Sequence, residues 1–202
     1  SSSTTNTVTL NVGTGPSITL GPANQIICDG DNASFTVTTS GNNLTYQWQV
    51  NTGSGFNDIN NGGVYSNTNT VTLNITGANA SMSGYQYRVV IAGSINCSVT
   101  TTSTSANLIV NPLPVVTFSG LNTEYCVDAA LAPLTGNPSG GTFSGPGIIG
   151  NDFSASTAGV GGPYTILYEY TDGNGCYNST TQTVSVNPLP VVSYTGLAGP
   201  YC

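Results

Sequence analysis

Short runs in which apolar and polar residues alternate recur along the chain, with glycine, asparagine, aspartate or proline between them. Thr45–Val50, Tyr85–Ile91 and Tyr164–Tyr170 are examples in which every second residue is aromatic or aliphatic. This period of two places the apolar side chains on one face of a strand. No segment shows the 3.6-residue apolar spacing of an amphipathic helix. The pattern predicts an all-β protein of short antiparallel strands packed as β-sandwiches.

One junction pattern occurs three times in the sequence. The segment NLIVNPLPVVTF at 107–118 recurs 76 residues later as TVSVNPLPVVSY at 183–194, and a weaker copy, TLNVGTGPSITL, lies at 9–20. Each copy has an alternating strand, a short Pro/Gly break and the start of another strand. Because proline ends a hydrogen-bond ladder and favours extended backbone, the pattern predicts a semi-rigid linker between two domains.

These junctions divide the chain into four parts. Residues 1–13 are predicted to be the last strand of a preceding repeat, and residues 14–110 a complete β-sandwich domain. Residues 111–186 are predicted to form a second, smaller sandwich, and residues 187–202 the first strand of a following repeat. We therefore expect the chain to be part of a longer tandem array.

The first complete domain resembles an immunoglobulin-like domain. The residues that carry the resemblance are CDGDNASF at 28–35, YQWQV around Trp48, and SGYQY at 83–87. The resemblance implies that Trp48 is the core tryptophan of strand C, and that Tyr85 or Tyr87 is the tyrosine corner before strand F. Its cysteines lie outside the strand B and F positions of antibody domains, and this variant is similar to repeats of large secreted proteins of the Bacteroidetes.

Residues 111–186 resemble the PKD-type modules of the same group of proteins. The resemblance is carried by NPLPVV, by GGTFSGPGI at 140–148 and by YEYTDGNGC at 168–176. For the whole chain it implies a very large surface adhesin, of which gliding adhesins are one kind, exported by the type 9 secretion system of that phylum.

Five cysteines fit this repeat organisation. Each complete domain carries two, and the last is expected to pair beyond this sequence; they are Cys28 and Cys97, Cys126 and Cys176, and Cys202. An even number per repeat predicts disulfides and an oxidising compartment. One possible pairing lies within each domain, but standard topology puts the two turns at opposite ends, unless the first strand is displaced. The other is a bond across the junction, from Cys28 to Cys176.

The charge content excludes several classes of function. Charged residues are 4% of the chain, the net charge is −7, histidine is absent, and Arg88 is the one basic residue. Without histidine and lysine there is no Ser-His or Cys-His pair, Schiff base or imidazole metal ligand. Nucleic acids and anionic membranes need basic patches, and no apolar run reaches the ~18 residues of a membrane span. We expect an extracellular, non-catalytic protein with no cofactor.

A few loops and side chains are candidates for binding. The Asp29–Asn32 segment and Asp172–Asn174 contain calcium-binding residue types, but plain turns are the preferred interpretation because so few carboxylates are present. Phe56 and Tyr65, in a Gly/Asn-rich loop, are candidates for sugar contact. Arg88 is expected to pair across strands with an acid such as Asp58.

The sequence predicts a structural repeat region of a bacterial adhesin or extracellular filament, acting as a semi-rigid, disulfide-stabilised stalk. The alternative is a spacer or carbohydrate-binding module of a secreted enzyme. Expected partners are neighbouring repeats of the same chain, and surface glycans or the substratum. Other copies in a filament could pair with an exposed edge strand such as Thr4–Val12.

Overall fold

A computed structural model describes residues 15–95, 97–193 and 195, without the side chains of 94–98. The predicted strand of a preceding repeat at 1–13, with the edge Thr4–Val12, lies outside these residues. Of the predicted following repeat, only 187–193 and 195 are described, so Cys202 also lies outside. The chain divides into two compact units, and the boundary between them in the sequence falls between Pro112 and Leu113, within the proline-containing linker.

The first unit, as far as it is described, contains eleven strands and a 3-10 helix. They are β1 (Ser17–Leu20), β2 (Gln25–Cys28), β3 (Ala33–Thr36), β4 (Thr38–Ser40), β5 (Leu44–Asn51), β6 (Phe56–Asp58), β7 (Tyr65–Ser66), β8 (Thr72–Ile75), the 3-10 helix Ala80–Met82, β9 (Gln86–Ile95), β10 (Cys97–Thr102) and β11 (Ala106–Asn111). One layer has the order β2–β11–β9–β5–β6, with β10 also paired to β9. The other contains β1–β4 and β3–β8–β7. This is the strand arrangement of an immunoglobulin-like sandwich.

Alternating residues of both layers fill the core of the first unit. Phe35, Trp48, Leu73, Tyr87 and Leu108 are fully buried. The rings of Phe35 and Tyr87 stack with centroids 4.8 Å apart. The Trp48 indole N–H donates a 2.9 Å hydrogen bond to the backbone carbonyl of Thr70, in the turn between β7 and β8. The Trp48 side chain, the largest of the core, is therefore held in place by packing and by a hydrogen bond.

The second unit, over its described residues, contains nine strands and one short helix. They are β12 (Thr117–Ser119), β13 (Glu124–Cys126), β14 (Ala132–Pro133), β15 (Thr135–Asn137), β16 (Thr142–Ser144), β17 (Ile148–Ile149), β18 (Asp152–Phe153), α1 (Ala155–Ala158), β19 (Gly161–Thr171) and β20 (Tyr177–Asn187). The sheet orders are β13–β20–β19–β16, β14–β18–β17 and β12–β15. The order repeats that of the first unit without a counterpart of β6, so both units are β-sandwiches of the same kind.

An aromatic cluster forms the core of the second unit. The Tyr168 ring lies 4.5 Å from that of Phe143 and 6.4 Å from that of Phe118, between centroids. Its hydroxyl donates to the Pro138 carbonyl at 2.6 Å and accepts from the Gly141 N–H at 2.9 Å. This hydroxyl therefore ties the buried ring to the loop between β15 and β16.

Replacing Tyr168 with phenylalanine is expected to lower the free energy of unfolding of the second unit by about 1–3 kcal/mol. The change leaves the two backbone groups without their partner while keeping the ring. Denaturant unfolding measures this loss. Tyr177→Phe is the matched control, because the Tyr177 hydroxyl bonds Glu169 on the exposed surface. Equal losses in the two variants would contradict the role given to Tyr168.

The prediction of tandem β-sandwiches is confirmed, but the pairing is not antiparallel throughout. β2 pairs with β11 in parallel, and β13 pairs with β20 in parallel. The cause lies in the first strand of each unit, which is split. In the first unit, Gly21-Pro22 ends β1, because proline has no N–H for the ladder, and the chain resumes as β2 in the other sheet.

Candidate functional site

The terminal strands hold one cysteine of each repeat at the same position. Cys28 ends β2 and lies in register with Asn111 of β11, while Cys126 ends β13 and lies in register with Asn187 of β20. Cys28 is disulfide-bonded, whereas Cys126 is an exposed free thiol. The two residues are therefore equivalent in the fold but differ in oxidation state.

The second cysteine of each repeat lies in the hairpin that precedes the last strand. Cys97 begins β10, opposite Ile95 of β9, and its side chain lies outside the described residues. Cys176 is fully buried and disulfide-bonded, in the turn between β19 and β20. Its backbone N–H donates to the Asp172 carboxylate at 2.9 Å, so a compact turn holds this cysteine.

Pairing within each domain does not fit these positions. In the second unit, Cys126 is in register with Asn187, eleven residues beyond Cys176 along β20, which is roughly 35 Å of strand. In the first unit, the register separates the backbone of Cys97 from that of Cys28 by about thirteen strand positions, roughly 40 Å. A disulfide needs Cα atoms within about 7 Å.

The pairings Cys28–Cys97 and Cys126–Cys176 are therefore wrong. The physical reason is the displacement of the first strand onto the last one in parallel. This displacement places the first-strand cysteine at the exit end of the unit. From the sequence, within-domain pairing is possible if the first strand is displaced, but the displacement that the structure shows separates the two cysteines instead of joining them. The bond across the junction stays a prediction.

The acidic loops are turns whose oxygens are already used. Asp29 accepts from the Ala80 N–H at 2.7 Å, Asp31 from the Cys28 N–H at 3.1 Å, and Asn32 from the Gly77 N–H at 2.9 Å. Asp172 accepts from Cys176 and Asn174. Among the residues described, no group of three or more His, Cys, Asp or Glu is placed to hold a metal ion.

The Asp172 carboxylate has a role in shaping the hairpin turn. The hydrogen bond from the Cys176 N–H, followed by those from Asn174 and Gly175, holds the pKa of Asp172 below its ordinary value. The charged form is thus favoured by folding, so its contribution to stability is present at neutral pH. It is lost as the pH falls through the lowered pKa.

Phe56 and Tyr65 do not form a common binding surface. Phe56 lies in β6, at the edge of one sheet, and Tyr65 lies in β7 of the other. The Arg88 guanidinium stacks on the Phe56 ring, with Cζ 3.9 Å from the centroid. The Tyr65 hydroxyl is 3.2 Å from that of Tyr87. Both rings thus pack against their own unit, and sugar contact at them stays a prediction with no support from this geometry.

Arg88 has a different partner from the one expected. Its Nε donates to the Gln49 side-chain oxygen at 2.8 Å, and the Gln49 amide nitrogen donates to Asp58 at 2.8 Å. Gln49 is directly opposite Arg88 in the register of β5 and β9. The predicted direct pair of Arg88 with Asp58 is therefore replaced by a relay through Gln49.

Replacing Phe56 with alanine is expected to cost the first unit about 1 kcal/mol in unfolding free energy. The loss combines a half-buried ring with its cation–π contact, which is worth about 0.5–1 kcal/mol at exposed sites. Thermal unfolding of Phe56→Ala, Arg88→Met and the double variant measures the coupling between the two side chains. Strictly additive losses would show that the stacked pair contributes nothing.

The tyrosines near strand F have two different structural roles. Burial and the bond to Tyr65 raise the pKa of Tyr87 well above its ordinary value, so this hydroxyl is neutral and structural. Tyr85 is half-buried against the core. In the second unit, Tyr164 occupies the place of Tyr85, and its hydroxyl donates to the Gly159 carbonyl five residues upstream at 3.3 Å. This is the tyrosine-corner bond, at a residue that the resemblance had not indicated.

Comparisons with known proteins find similarity to solved structures, without a family model or a curated relative. An I-band fragment of titin is 17% identical, with a TM-score of 0.43, over 87% of this chain and 66% of that one. The titin z1z2 domains in complex with telethonin are 15% identical, with a TM-score of 0.43, over 89% and 100% of the two chains.

A third similar structure, Dpr11 IG1 bound to DIP-gamma, is 14% identical, with a TM-score of 0.39, over 86% of this chain and 98% of that one. Because these TM-scores are all below 0.5, the fold assignment rests on the strand order described above. The described part of the chain has no helix long and apolar enough to cross a membrane. What is established at this point is a tandem of immunoglobulin-like β-sandwiches that contains disulfide-bonded cysteines.

Proposed function

We propose that the chain is a structural repeat region of a bacterial cell-surface adhesin or extracellular filament, acting as a semi-rigid, disulfide-stabilised stalk. One observation carries the proposal. In both units, the strand by which the chain enters one sheet is paired in parallel with the strand by which it leaves, β2 with β11 and β13 with β20.

This pairing suits a protein under tension. A pull along the chain draws the first strand towards its N-terminal end and the last strand towards its C-terminal end. Because the strands are parallel and adjacent, their hydrogen bonds are loaded together in shear instead of breaking one at a time. In the second unit these bonds include Ser185 N–H to the Thr123 carbonyl at 2.9 Å, and Val127 N–H to the Asn187 carbonyl at 3.0 Å.

The surface and the cysteines support an extracellular position. Disulfides persist in oxidising compartments, and Cys28 and Cys176 are both oxidised. Exposed threonines such as Thr181 and Thr183 line the outer face of β20, and only 4% of the chain is charged. A neutral, hydrated surface suits a spacer. Attachment to the cell surface, kinship with Bacteroidetes repeats and export by type 9 secretion belong to the proposal, as does the lack of catalysis.

The partners in this proposal follow from tandem organisation. Adjoining repeats of the same chain are the first, since the NPLP junction occurs at both ends of the second unit. Glycans or the substratum would be bound by other parts of the array, because the two aromatic candidates pack within the first unit. Copies of the chain could associate in a filament.

Single-molecule force spectroscopy on the reduced chain tests the load-bearing role. Ser185→Pro removes the N–H that bonds Thr123 and is expected to lower the unfolding force of the second unit clearly. Ser179→Pro is the control, because that N–H bonds the Asn178 side chain at the far end of β20. Thermal stability of both variants is measured in parallel. If the two prolines lower the force equally at equal stability, the parallel pair bears no special load and the proposal fails.

A further inference from the structure

The small sheet β12–β15 of the second unit has one capped edge and one open edge. On the β12 side, the Gln182 side-chain amide donates to the Phe118 carbonyl at 2.8 Å, and that of Asn178 donates to the Pro114 carbonyl at 2.8 Å. These two amides bond carbonyls that point away from the sheet. On the β15 side, no further strand pairs with this sheet within the part of the chain that the structure describes.

The open edge exposes the backbone of Gly136. Phe118 and Gly136 lie opposite each other in register, and opposite residues of an antiparallel pair either bond each other or both point away. Because the Phe118 carbonyl is bonded to Gln182, Gly136 directs its N–H and its C=O away from β12. Among the described residues, no loop backbone forms a hydrogen bond with either group. One donor and one acceptor are thus left side by side at this edge.

The opening at Gly136 is one residue long. Two positions earlier, the Leu134 N–H donates to the Asn151 carbonyl at 2.8 Å. Two positions later, the Pro138 carbonyl accepts from the Tyr168 hydroxyl at 2.6 Å, and proline has no N–H. An added strand bonds every second residue along an edge, so it would find a single usable residue here. The opening therefore favours a compact ligand over an extended peptide.

Gly136 lines a pocket of about 290 Å³ whose other groups match a sugar ring. The buried rings of Phe143 and Tyr168 provide an apolar wall. The rim carries exposed hydroxyl and amide side chains, those of Thr135, Ser139 and Asn151. None of the described residues that line the pocket is charged. Small-molecule sites begin near roughly 300 Å³, so this pocket has room for one neutral ring.

We propose that this pocket binds one neutral sugar ring of a surface glycan through two adjacent hydroxyl groups. One hydroxyl donates to the Gly136 carbonyl, and its neighbour accepts from the Gly136 N–H. Three bonds separate the two oxygens in O–C–C–O, as three bonds separate the nitrogen and oxygen of one backbone residue. The C–H groups of the sugar pack on Phe143 and Tyr168, and the rim side chains bond the remaining hydroxyls.

The inference deepens the proposed function and rests on it for its biological setting. Glycans are among the partners of the proposed stalk, and Phe56 and Tyr65 of the first unit pack within that unit. The pocket gives the second unit a glycan site of its own. Repetition of such a site along an array would turn weak single contacts into firm attachment.

Nuclear magnetic resonance of the isotope-labelled whole chain tests the open edge and the ligand together. Without ligand, the Gly136 amide is expected to exchange with solvent faster than those of Thr135 and Asn137, which face β12. The probes are the methyl glycosides of glucose, galactose and mannose. At least one should shift the Gly136 signal and slow its exchange. We expect a dissociation constant on the order of 1–10 mM, because a single ring has few atoms with which to bind.

Variants of the rim separate the pocket from the rest of the unit. Ser139→Ala and Asn151→Ala remove exposed side chains, so the fold is expected to stay intact, as thermal unfolding will check. Together they are expected to weaken sugar binding about tenfold. Asn122→Ala is the matched control, because Asn122 is exposed in a loop of the same unit and does not line the pocket.

Three results would overturn the inference. They are slow exchange of the Gly136 amide in the free chain, no Gly136 shift with any of the glycosides, and shifts that the rim variants leave unchanged. A blocked peptide of alternating valine and threonine is titrated as well, and its binding in place of the sugars would assign the edge to a protein partner. None of these outcomes alters the unfolding force of Ser185→Pro, so the stalk proposal stands or fails separately.

Discussion

Replacing Gly136 with alanine is expected to destabilise the second unit by about 3 kcal/mol. Gly136 lies in β15 opposite Phe118, and a Cβ at this position would overlap the Tyr168 ring. The ring cannot move aside easily, because Phe143 packs on it and its hydroxyl is bonded to Pro138 and Gly141. Overpacking of a closed core forces the backbone to shift, and a domain has only about 5–15 kcal/mol of stability to lose.

Gly173→Ala is the matched control for this variant. Gly173 lies in the exposed Asp172–Gly175 turn, where a Cβ would meet nothing within 4 Å. Its substitution is expected to change stability by less than about 0.5 kcal/mol. Both variants are compared by denaturant unfolding. In a Tyr168→Ala background, Gly136→Ala should cost much less, because the ring that it overlaps is gone. An equal cost in both backgrounds would show that the Tyr168 ring is not the obstacle.

Replacing Trp48 with alanine is expected to cost the first unit about 3–5 kcal/mol, enough to unfold it or to leave it marginal. The indole is fully buried, so its removal leaves a large cavity between the layers. The change also deprives the Thr70 carbonyl of its 2.9 Å hydrogen bond. Trp48→Phe keeps most of the apolar volume and is expected to lose clearly less.

Calorimetry of the whole chain measures this effect with an internal reference. The second unit has its own core, so its transition should stay in place while that of the first unit falls or vanishes. A loss below about 1 kcal/mol in Trp48→Ala would contradict the central position given to this side chain. Movement of both transitions together would instead show that the units unfold as one.

The strands are predicted well from the sequence, because burial of one face of a strand requires an apolar residue at every second position. Tyr87, Val89 and Ile91 alternate in the sequence and are fully buried in β9. The parallel pairing of β2 has no such signature. Ile26 is 67% exposed while Ile27 packs on the core, so the QIIC segment carries no alternation that reveals its partner.

A single sequence also does not reveal which strands are neighbours, or which residues that are distant in the chain lie against each other. Arg88 contacts Gln49 instead of Asp58 because β5 lies between β9 and β6, and this strand order is not visible in the periodicity. The need for glycine at 136 arises from a tyrosine 32 residues away in the chain. The cysteine positions were visible as a repeat, but their separation depends on which strands pair.

Extension of the reduced chain by force, from its two ends, tests most directly the claim that these repeats bear load through their parallel terminal strands. The account predicts that the second unit of Ser185→Pro unfolds at a clearly lower force than that of Ser179→Pro, at equal thermal stability. Equal unfolding forces in the two variants would contradict the account.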